Sequence, residues 1–379
     1  MINVLQLCSQ YPGSNIYDYL FNCLNSKGVR NYVFIPCREN AEKKILNNDK
    51  TKLIYEESFK AGKTLVEKFT NIFNQYYFFN QQQRIYNKLI KKISISEIDY
   101  IHAHTLFTDG YLAYMLNKNF NKKYIVAVRN TDVNSFLKYG KHLRNTAIKI
   151  IKNAEKVIFI SESYRINFIN KFLKSQDEKN LSSKFIVIPN GIDDFWLKNK
   201  VIYKKQPNNK LNLIQVGRID KNKNVETAIK VCEELRNSGI EANITIVGNG
   251  PLRKELIKRY NSNYIVFKDF AKKEELINYY DEAHVFIMLS KFETFGLVYV
   301  EAMSRGLPLI YTKNQGFDKT FKDGKVGFPI EYDNYKMATE RIKDILNRYS
   351  DMSSNCLNNL ESFSWDIIAK RYKAIYECR

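Results

Sequence analysis

The stretch Lys291-Phe-Glu293-Thr294-Phe295-Gly296-Leu297-Val-Tyr-Val-Glu301-Ala-Met303 decides the reading of this chain. Upstream, Asp281 to Ser290 reads as a buried strand; downstream, Phe295 to Arg305 reads as a helix. A strand that feeds a helix through a short glycine-containing turn makes an anion site, because unpaired amides and the helix dipole converge at the helix start. Two carboxylates flank that site. Glu293 lies in the turn, and Glu301 lies inside the helix, about 9 Å along its axis at 1.5 Å per residue. The spacing suits a phosphate held between two hydroxyl-bearing groups, as in a nucleotide-sugar. On spacing alone, a solvated turn acid and an ordinary helix acid are an equal reading.

Two further strand–loop–helix passages lie upstream. Leu211 to Val216 runs into Gly217-Arg218-Ile-Asp220-Lys-Asn-Lys223 and then a helical pattern. Gly217 permits a sharp turn at the strand end. Arg218 and Lys223, five apart, can address one anion, the first as a planar fork and the second as a point charge. Ala242 to Gly248 then enters Asn249-Gly250-Pro251, where Gly-Pro marks a turn and Pro251 suits the first helical position. In a lysine-rich chain, Arg218 and Lys223 read equally as surface charge if their loop is taken alone.

The series Val216-Gly-Arg-Ile-Asp-Lys-Asn-Lys223, Val247-Gly-Asn-Gly-Pro251, Glu293-x7-Glu301 and Gly306-Leu-Pro308 resembles the donor domain of retaining GT-B glycosyltransferases, and more narrowly the glycosyl transferases group 1 family. The resemblance extends more weakly over the N-terminal half. It implies an α/β fold of GT-B architecture, with two Rossmann-like domains facing across a cleft. The domains expected are residues 1–200 on the acceptor side, 201–362 on the nucleotide-sugar side, and a helix over 363–379 crossing back to the first. It implies that Arg218 and Lys223 hold the donor diphosphate, that Glu293 contacts the donor sugar and Glu301 the ribose, and that the Thr294, Phe295, Gly296 and Leu297 backbone contacts phosphate. Asn249 joins that donor set. The implied reaction is retaining hexosyl transfer from a UDP- or GDP-linked sugar to a glycan or lipid-linked acceptor, with no bound metal and no further cofactor. A non-catalytic partner subunit of the same fold is the rival; the intact set of Arg218, Lys223, Glu293 and Glu301 speaks against it.

In the N-terminal half, strands are expected at Asn3–Leu7, Tyr32–Ile35, Tyr100–Ala103, Tyr124–Val128, Lys156–Ile160 and Phe185–Ile188. Three places would face a cleft if the resemblance holds. Gly13 and Ser14 follow the first strand, where relatives carry a Gly-Gly pair. His104, in Ile101-His102-Ala-His104-Thr105 at the end of a strand, is a candidate for substrate contact and catalysis, although a lone histidine is more often structural. Arg129, in Val128-Arg129-Asn130-Thr131-Asp132, stands where relatives often have histidine. Arginine stays charged and cannot act as a base; it is read either as an acceptor- or phosphate-side ligand or as the partner of Asp132. Asn190-Gly191 reads as a tight turn at the passage between domains.

Length and composition agree with two α/β domains: 379 residues, 44% apolar, six scattered cysteines and four histidines. The first seven residues read as a strand rather than a secretion signal, and no apolar run approaches the roughly 18 residues of a membrane span. The expected setting is therefore cytoplasmic. Residues 1–200 hold 31 Lys+Arg against 17 Asp+Glu, a charge of +14, leaving +6 of the total +20 for the rest. That asymmetry implies an anionic partner. Lys63 to Lys92 interleaves Phe69, Phe73, Tyr76, Tyr77, Phe78, Phe79 and Tyr86 with Lys63, Lys68, Arg84, Lys88, Lys91 and Lys92. It is expected to lie at the inner, anionic membrane surface rather than on nucleic acid, with a core-packing helix as the competing reading.

Overall fold

The computed structural model describes residues 1–38, 43, 49–59, 75–137 and 141–378. The chain divides into two compact units. One comprises Met1–Ile160, Arg165–Gly191 and Trp365–Arg379; the other comprises Ser161–Tyr164 and Ile192–Ser364. Each is a Rossmann-like layer of parallel strands and helices.

The first unit is built on seven strands: β1 (Ile2–Leu7), β2 (Val29–Arg38), β3 (Thr51–Phe59), β4 (Tyr100–Ala103), β5 (Tyr124–Val128), β6 (Lys156–Phe159) and β7 (Phe185–Val187). Their order is β3-β2-β1-β4-β5-β6-β7, and every pairing is parallel. Short apolar runs such as Tyr-Ile-Val-Ala-Val in β5 are buried throughout, as strands covered by helices on both faces must be. The helix Trp365–Glu377 belongs to this unit. Trp365, Ile368, Tyr372 and Tyr376 join the core around Val4, Phe21 and Val33, and Trp365 stacks on Tyr19 with ring centroids 6.3 Å apart. Gly191 owes its identity to this helix. A Cβ there would meet the Trp365 ring at 2.4 Å, so close packing, beyond a turn, excludes a side chain.

The second unit has six strands: β8 (Leu211–Val216), β9 (Ala242–Val247), β10 (Ile265–Lys268), β11 (Val285–Met288), β12 (Leu309–Thr312) and β13 (Gly327–Ile330). Their order is β10-β9-β8-β11-β12-β13, again all parallel. The strand expected over Asp281–Ser290 is shorter than its apolar run suggests. Asp281 and Glu282 finish the helix Lys273–Glu282, and pairing begins at Val285. The helix expected from Phe295 starts at Leu297 and ends at Ser304. In both sheets the direction of strand addition reverses beside the first strand, between β1 and β4 and between β8 and β11. Such reversal points open a crevice at the carboxyl ends of the strands, where ligands of open α/β sheets bind.

Candidate functional site

The second unit's reversal point is where the expected donor residues gather. Beyond β8, Gly217 turns the chain at φ +148°. Beyond β9, Gly248 (φ +145°) packs so closely that a Cβ would lie 2.0 Å from the Gly217 carbonyl oxygen. The two loops thus meet backbone to backbone, with Gly217 donating to Val247 (3.0 Å) and Ile219 to the Asn249 carbonyl (2.9 Å). Asn249 is exposed on this ledge. With its amide oriented to satisfy both ends, it donates to Asp269 Oδ1 at 3.0 Å.

Asp220 shapes the loop that carries Lys223: its Oδ1 accepts from the Asn222 and Lys223 amides, both at 2.9 Å. Asn222 then fastens that loop to the one after β11. Its Oδ1 accepts from the Phe292 amide (3.1 Å), its Nδ2 donates to the Phe292 carbonyl (3.0 Å), and its own carbonyl accepts from Lys291 (2.8 Å). Asn224, in the left-handed conformation that asparagine tolerates, donates to the Leu289 and Tyr332 carbonyls. On the other side, Glu293 is held by Gln315, whose Oε1 accepts its amide (3.1 Å), and by Gly316, whose amide donates to its carbonyl (2.9 Å).

This framework brings Lys223 and Glu293 together, with Nζ 2.5 Å from Oε2 and both side chains largely buried. The other Glu293 oxygen accepts from the Thr294 amide at 3.2 Å. Arg218 stands apart: its side chain is 70% exposed, and its Nε lies 3.4 Å from Asp220 Oδ2. It shares the loop with Lys223 but is not part of the buried pair. Gly296, at φ +83°, is the last residue before the helix Leu297–Ser304, and a Cβ there would strike the Tyr299 ring at 2.6 Å. Tyr299 donates to the Met288 carbonyl (2.8 Å), pinning the helix to β11. No side chain caps the start of that helix at Gly296, where the Tyr299 amide donates to the Gly296 carbonyl at 3.0 Å. Glu293 packs against Gly296, with its Cγ 3.2 Å from where a Gly296 Cβ would lie, so the Lys223–Glu293 pair stands beside the helix start.

Glu301 sits one turn before the end of this helix. Its nearest hydrogen-bond partner is the Tyr280 hydroxyl, at 3.5 Å. Burial pushes its carboxyl up to about 7, against the Tyr280 hydrogen bond and with help from Asp193. It is a carboxyl short of donors, which an arriving diol would supply.

The first unit treats its expected site residues differently. His104 is fully buried. Its Nε2 meets Gln6 Oε1 at 2.9 Å, and because an amide oxygen only accepts, Nε2 carries the proton. Gln6 Nε2 donates to Asn31, Asn31 to Asn25, and Asn25 to Thr51, a buried polar relay across three strands. Burial holds His104 and its neighbour His102 well below the usual imidazole range, so both are neutral at pH 7. The expectation of a substrate contact from His104 gives way to a core role, since its side chain presents no surface. Gly13 is exposed and a Cβ there would meet nothing within 4 Å; Ser14 Oγ accepts from the Ile16 amide at 3.3 Å. Arg129 is not the ion-pair partner of Asp132. The Asp132 carboxylate accepts from the Leu106, Phe107 and Arg129 amides, while Arg129 Nε donates to the His104 carbonyl at 3.2 Å.

Of the aromatic, basic segment, Lys63, Lys68, Phe69 and Phe73 lie outside the described residues, as does the Tyr76 side chain. The rest, in the helix Gln75–Lys92, favours the core-packing reading. Phe78 and Tyr86 are buried, and Lys88 and Lys92 both bind the buried Glu56 carboxylate, at 2.6 and 2.5 Å. Among the described residues no helix is long and apolar enough to cross a membrane, and no group of three or more His, Cys, Asp and Glu could hold a metal ion.

Residues 199–361 match the model of the family described as Glycosyl transferases group 1. The chain is similar to alpha-monoglucosyldiacylglycerol synthase of Acholeplasma laidlawii, 25% identical over 76% of this chain and 77% of the relative. Its fold is similar to that of sucrose-phosphate synthase from Thermosynechococcus elongatus, with a TM-score of 0.73, 18% identity, and 99% and 98% of the two chains covered. It is also similar in fold to Anabaena HepE, solved in complex with UDP and glucose, with a TM-score of 0.66, 16% identity and both chains covered fully.

Proposed function

We propose that this chain, whose residues 199–361 match the glycosyl transferases group 1 model and whose fold is GT-B, is a nucleotide-sugar-dependent glycosyltransferase that carries out a retaining, metal-independent hexosyl transfer centred on Lys223 and Glu293. The observation that carries the proposal is their 2.5 Å contact at the reversal point of the second sheet, beside an uncapped helix start.

In this reading the donor diphosphate lies against the amides that open the helix at Leu297. Lys223 turns from Glu293 to the phosphate, and Arg218 swings in from solvent. Together they neutralise the charge that grows on the leaving nucleoside diphosphate, which is the largest electrostatic demand of the reaction. Glu293, released by Lys223, accepts hydrogen bonds from sugar hydroxyls. Glu301 accepts from the ribose, and the ledge at Asn249 lies toward the nucleotide. With these cations and amides in place, a metal ion is not required for leaving-group stabilisation. Front-face attack by the acceptor, with retention, is the proposed stereochemical course.

The proposed acceptor is a lipid-linked or growing surface glycan, met at the cytoplasmic face of the membrane. Its support is the similarity to a relative whose name specifies a glucosylated diacylglycerol, together with the excess of +14 in residues 1–200. The charges that would touch such a surface are not Lys88 and Lys92, which are engaged with Glu56.

A thermal-shift screen of nucleoside diphosphates and their sugars tests the donor side, because a ligand bound only by the folded state raises the melting temperature. UDP or GDP should stabilise the protein. A chain stabilised by neither, and inactive with every sugar of both, would favour the non-catalytic partner subunit instead.

A further inference from the structure

The turn after β11 holds two phenylalanines and treats them oppositely. Phe295 is 3% exposed and packs on Phe317 and Phe363. Phe292, one residue before Glu293, is 71% exposed. Its backbone is nevertheless held from both sides. Asn222 Oδ1 accepts from its amide, and Asn222 Nδ2 donates to its carbonyl. The Lys291 amide donates to the Asn222 carbonyl, and the Glu293 amide donates to Gln315 Oε1. A ring that stands in solvent on so fixed a backbone meets a ligand with little freedom left to lose.

Tyr332 repeats the arrangement. It follows β13, its carbonyl accepts from Asn224 Nδ2 at 2.6 Å, and its ring is partly exposed. Lys291 Nζ lies over that ring, 5.7 Å from the centroid. Among the described residues, neither the Tyr332 hydroxyl nor the Lys291 ammonium has a hydrogen-bond or ion-pair partner. Asn222 and Asn224 flank Lys223 in sequence. The loop that presents the cation therefore also fixes two exposed aromatic residues.

An aromatic face fixed at the carboxyl edge of a parallel sheet, where ligands bind, has a specific complement. The negative face of the ring attracts the weakly positive C–H groups that line one face of a pyranose. The sugar's rim carries hydroxyls, and here an ammonium and a phenol stand free to bond them. Phe295 shows that this turn can bury a phenylalanine; Phe292 is instead presented to water, as a sugar-stacking ring must be.

We propose that Phe292 is a stacking platform for a pyranose ring of a glycan, with Lys291 and Tyr332 as flanking partners for its hydroxyls. The proposal rests on the glycosyl-transfer reading and extends it: the second unit grips carbohydrate beside Glu293, and the chain favours acceptors that already carry a sugar.

The test is saturation-transfer NMR on the intact chain with the methyl glycosides of glucose, galactose, mannose and N-acetylglucosamine, first without nucleotide and then with UDP or GDP saturating. At least one glycoside should receive saturation, most strongly at its ring C–H protons. Phe292→Ala should weaken that glycoside roughly three- to tenfold, the worth of one aromatic contact. Phe292→Trp keeps a ring face and should bind at least as well as the parent. Phe270→Ala removes an equally exposed ring two residues past β10 and should leave glycoside binding unchanged. Nucleotide affinity should be the same in the parent and in Phe292→Ala, because the Asn222 clamp reaches only backbone atoms and survives truncation. Should Phe292→Ala fail to fold by circular dichroism, Phe292→Leu, which keeps bulk and loses the aromatic face, replaces it. A parent that binds none of the glycosides, an affinity unmoved in Phe292→Ala, or an equal loss in Phe270→Ala overturns the proposal. So does a loss of nucleotide affinity alone, which would assign the ring to the nucleobase. A parent that binds no nucleotide refutes the donor reading instead, and the nucleotide-free arm still decides Phe292.

Discussion

Lys223 and Glu293 are seventy positions apart in sequence, yet their side chains meet at 2.5 Å across the gap between β8 and β11. The pair keeps two largely buried charges compensated. In the proposed reaction a diphosphate would compete with Glu293 for Lys223, and sugar hydroxyls with Lys223 for Glu293, which would couple the arrival of phosphate to the release of the carboxylate.

Glu293→Gln keeps the shape of the turn and removes the charge. It should lower kcat roughly 10- to 100-fold, the worth of one hydrogen bond to a charged group, while the affinity for the bare nucleoside diphosphate holds or rises because Lys223 is freed. Steady-state kinetics beside a nucleotide titration check both parts. A loss of nucleotide affinity with unchanged kcat would reverse the role given to Glu293.

Asn222 is a positioning residue that the sequence reading passed over. Two side-chain hydrogen bonds to Phe292 set the register between the Lys223 loop and the Glu293 loop. Asn222→Ala should cost about 1–3 kcal/mol of stability, at the usual net worth of such bonds. A purely structural role would stop there. A registering role should also lower kcat more than it raises the Kd of the nucleotide, measured at a temperature where the variant is fully folded. Unchanged kcat would reduce Asn222 to a loop staple.

These particulars show what the sequence could and could not disclose. The glycine positions, the Lys223 loop and the Glu293–Glu301 spacing were legible because each is a local pattern at a strand end. The contact between Lys223 and Glu293 was not, because parallel pairing of β8 with β11 brings distant loops together and leaves no short-range trace. Asn222 was hidden for the same reason, since asparagine is common in this chain and both of its partners are backbone atoms. Strand β3 escaped notice because it is an edge strand with polar residues such as Lys52, Glu56 and Glu57 among its apolar ones. His104 looked like a ligand because strand C-termini usually face a crevice; only the relay through Gln6, Asn31 and Asn25 shows that it faces the core.

Glu301 makes a pH prediction. Its folded value, about 7, lies above the ordinary 4.5, so the folded state holds the proton more tightly than the unfolded chain. Stability from this group is complete below pH 4.5 and is lost as pH rises to 7, amounting to about 3 kcal/mol at 1.36 kcal/mol per pKa unit. Glu301→Gln cannot ionise. It should melt at a higher temperature than the parent at pH 8 and at nearly the same temperature at pH 5. Equal differences at both pH values would show that Glu301 is not held in this way.

Lys88 and Lys92 bear on the fold rather than on a membrane. Burial pushes the Glu56 carboxyl up, but hydrogen bonds from the two lysines outweigh it and the net direction is down. Lys88→Glu with Lys92→Glu would leave three carboxylates together, and should cost about 2 kcal/mol or more in thermal or urea unfolding. Lys91→Glu, on an exposed position without such a partner in the described structure, should change stability by less than about 0.5 kcal/mol. If the double variant is as stable as the parent, these lysines are free to meet another anion.

The central claim is that Lys223 holds the donor diphosphate. Its most direct test is a calorimetric titration of Lys223→Ala with the nucleoside diphosphate that stabilises the parent. Loss of a charge-assisted hydrogen bond of about 1.5–3 kcal/mol should weaken binding roughly 10- to 100-fold, with the folded state intact by circular dichroism. An affinity indistinguishable from that of the parent would contradict the account.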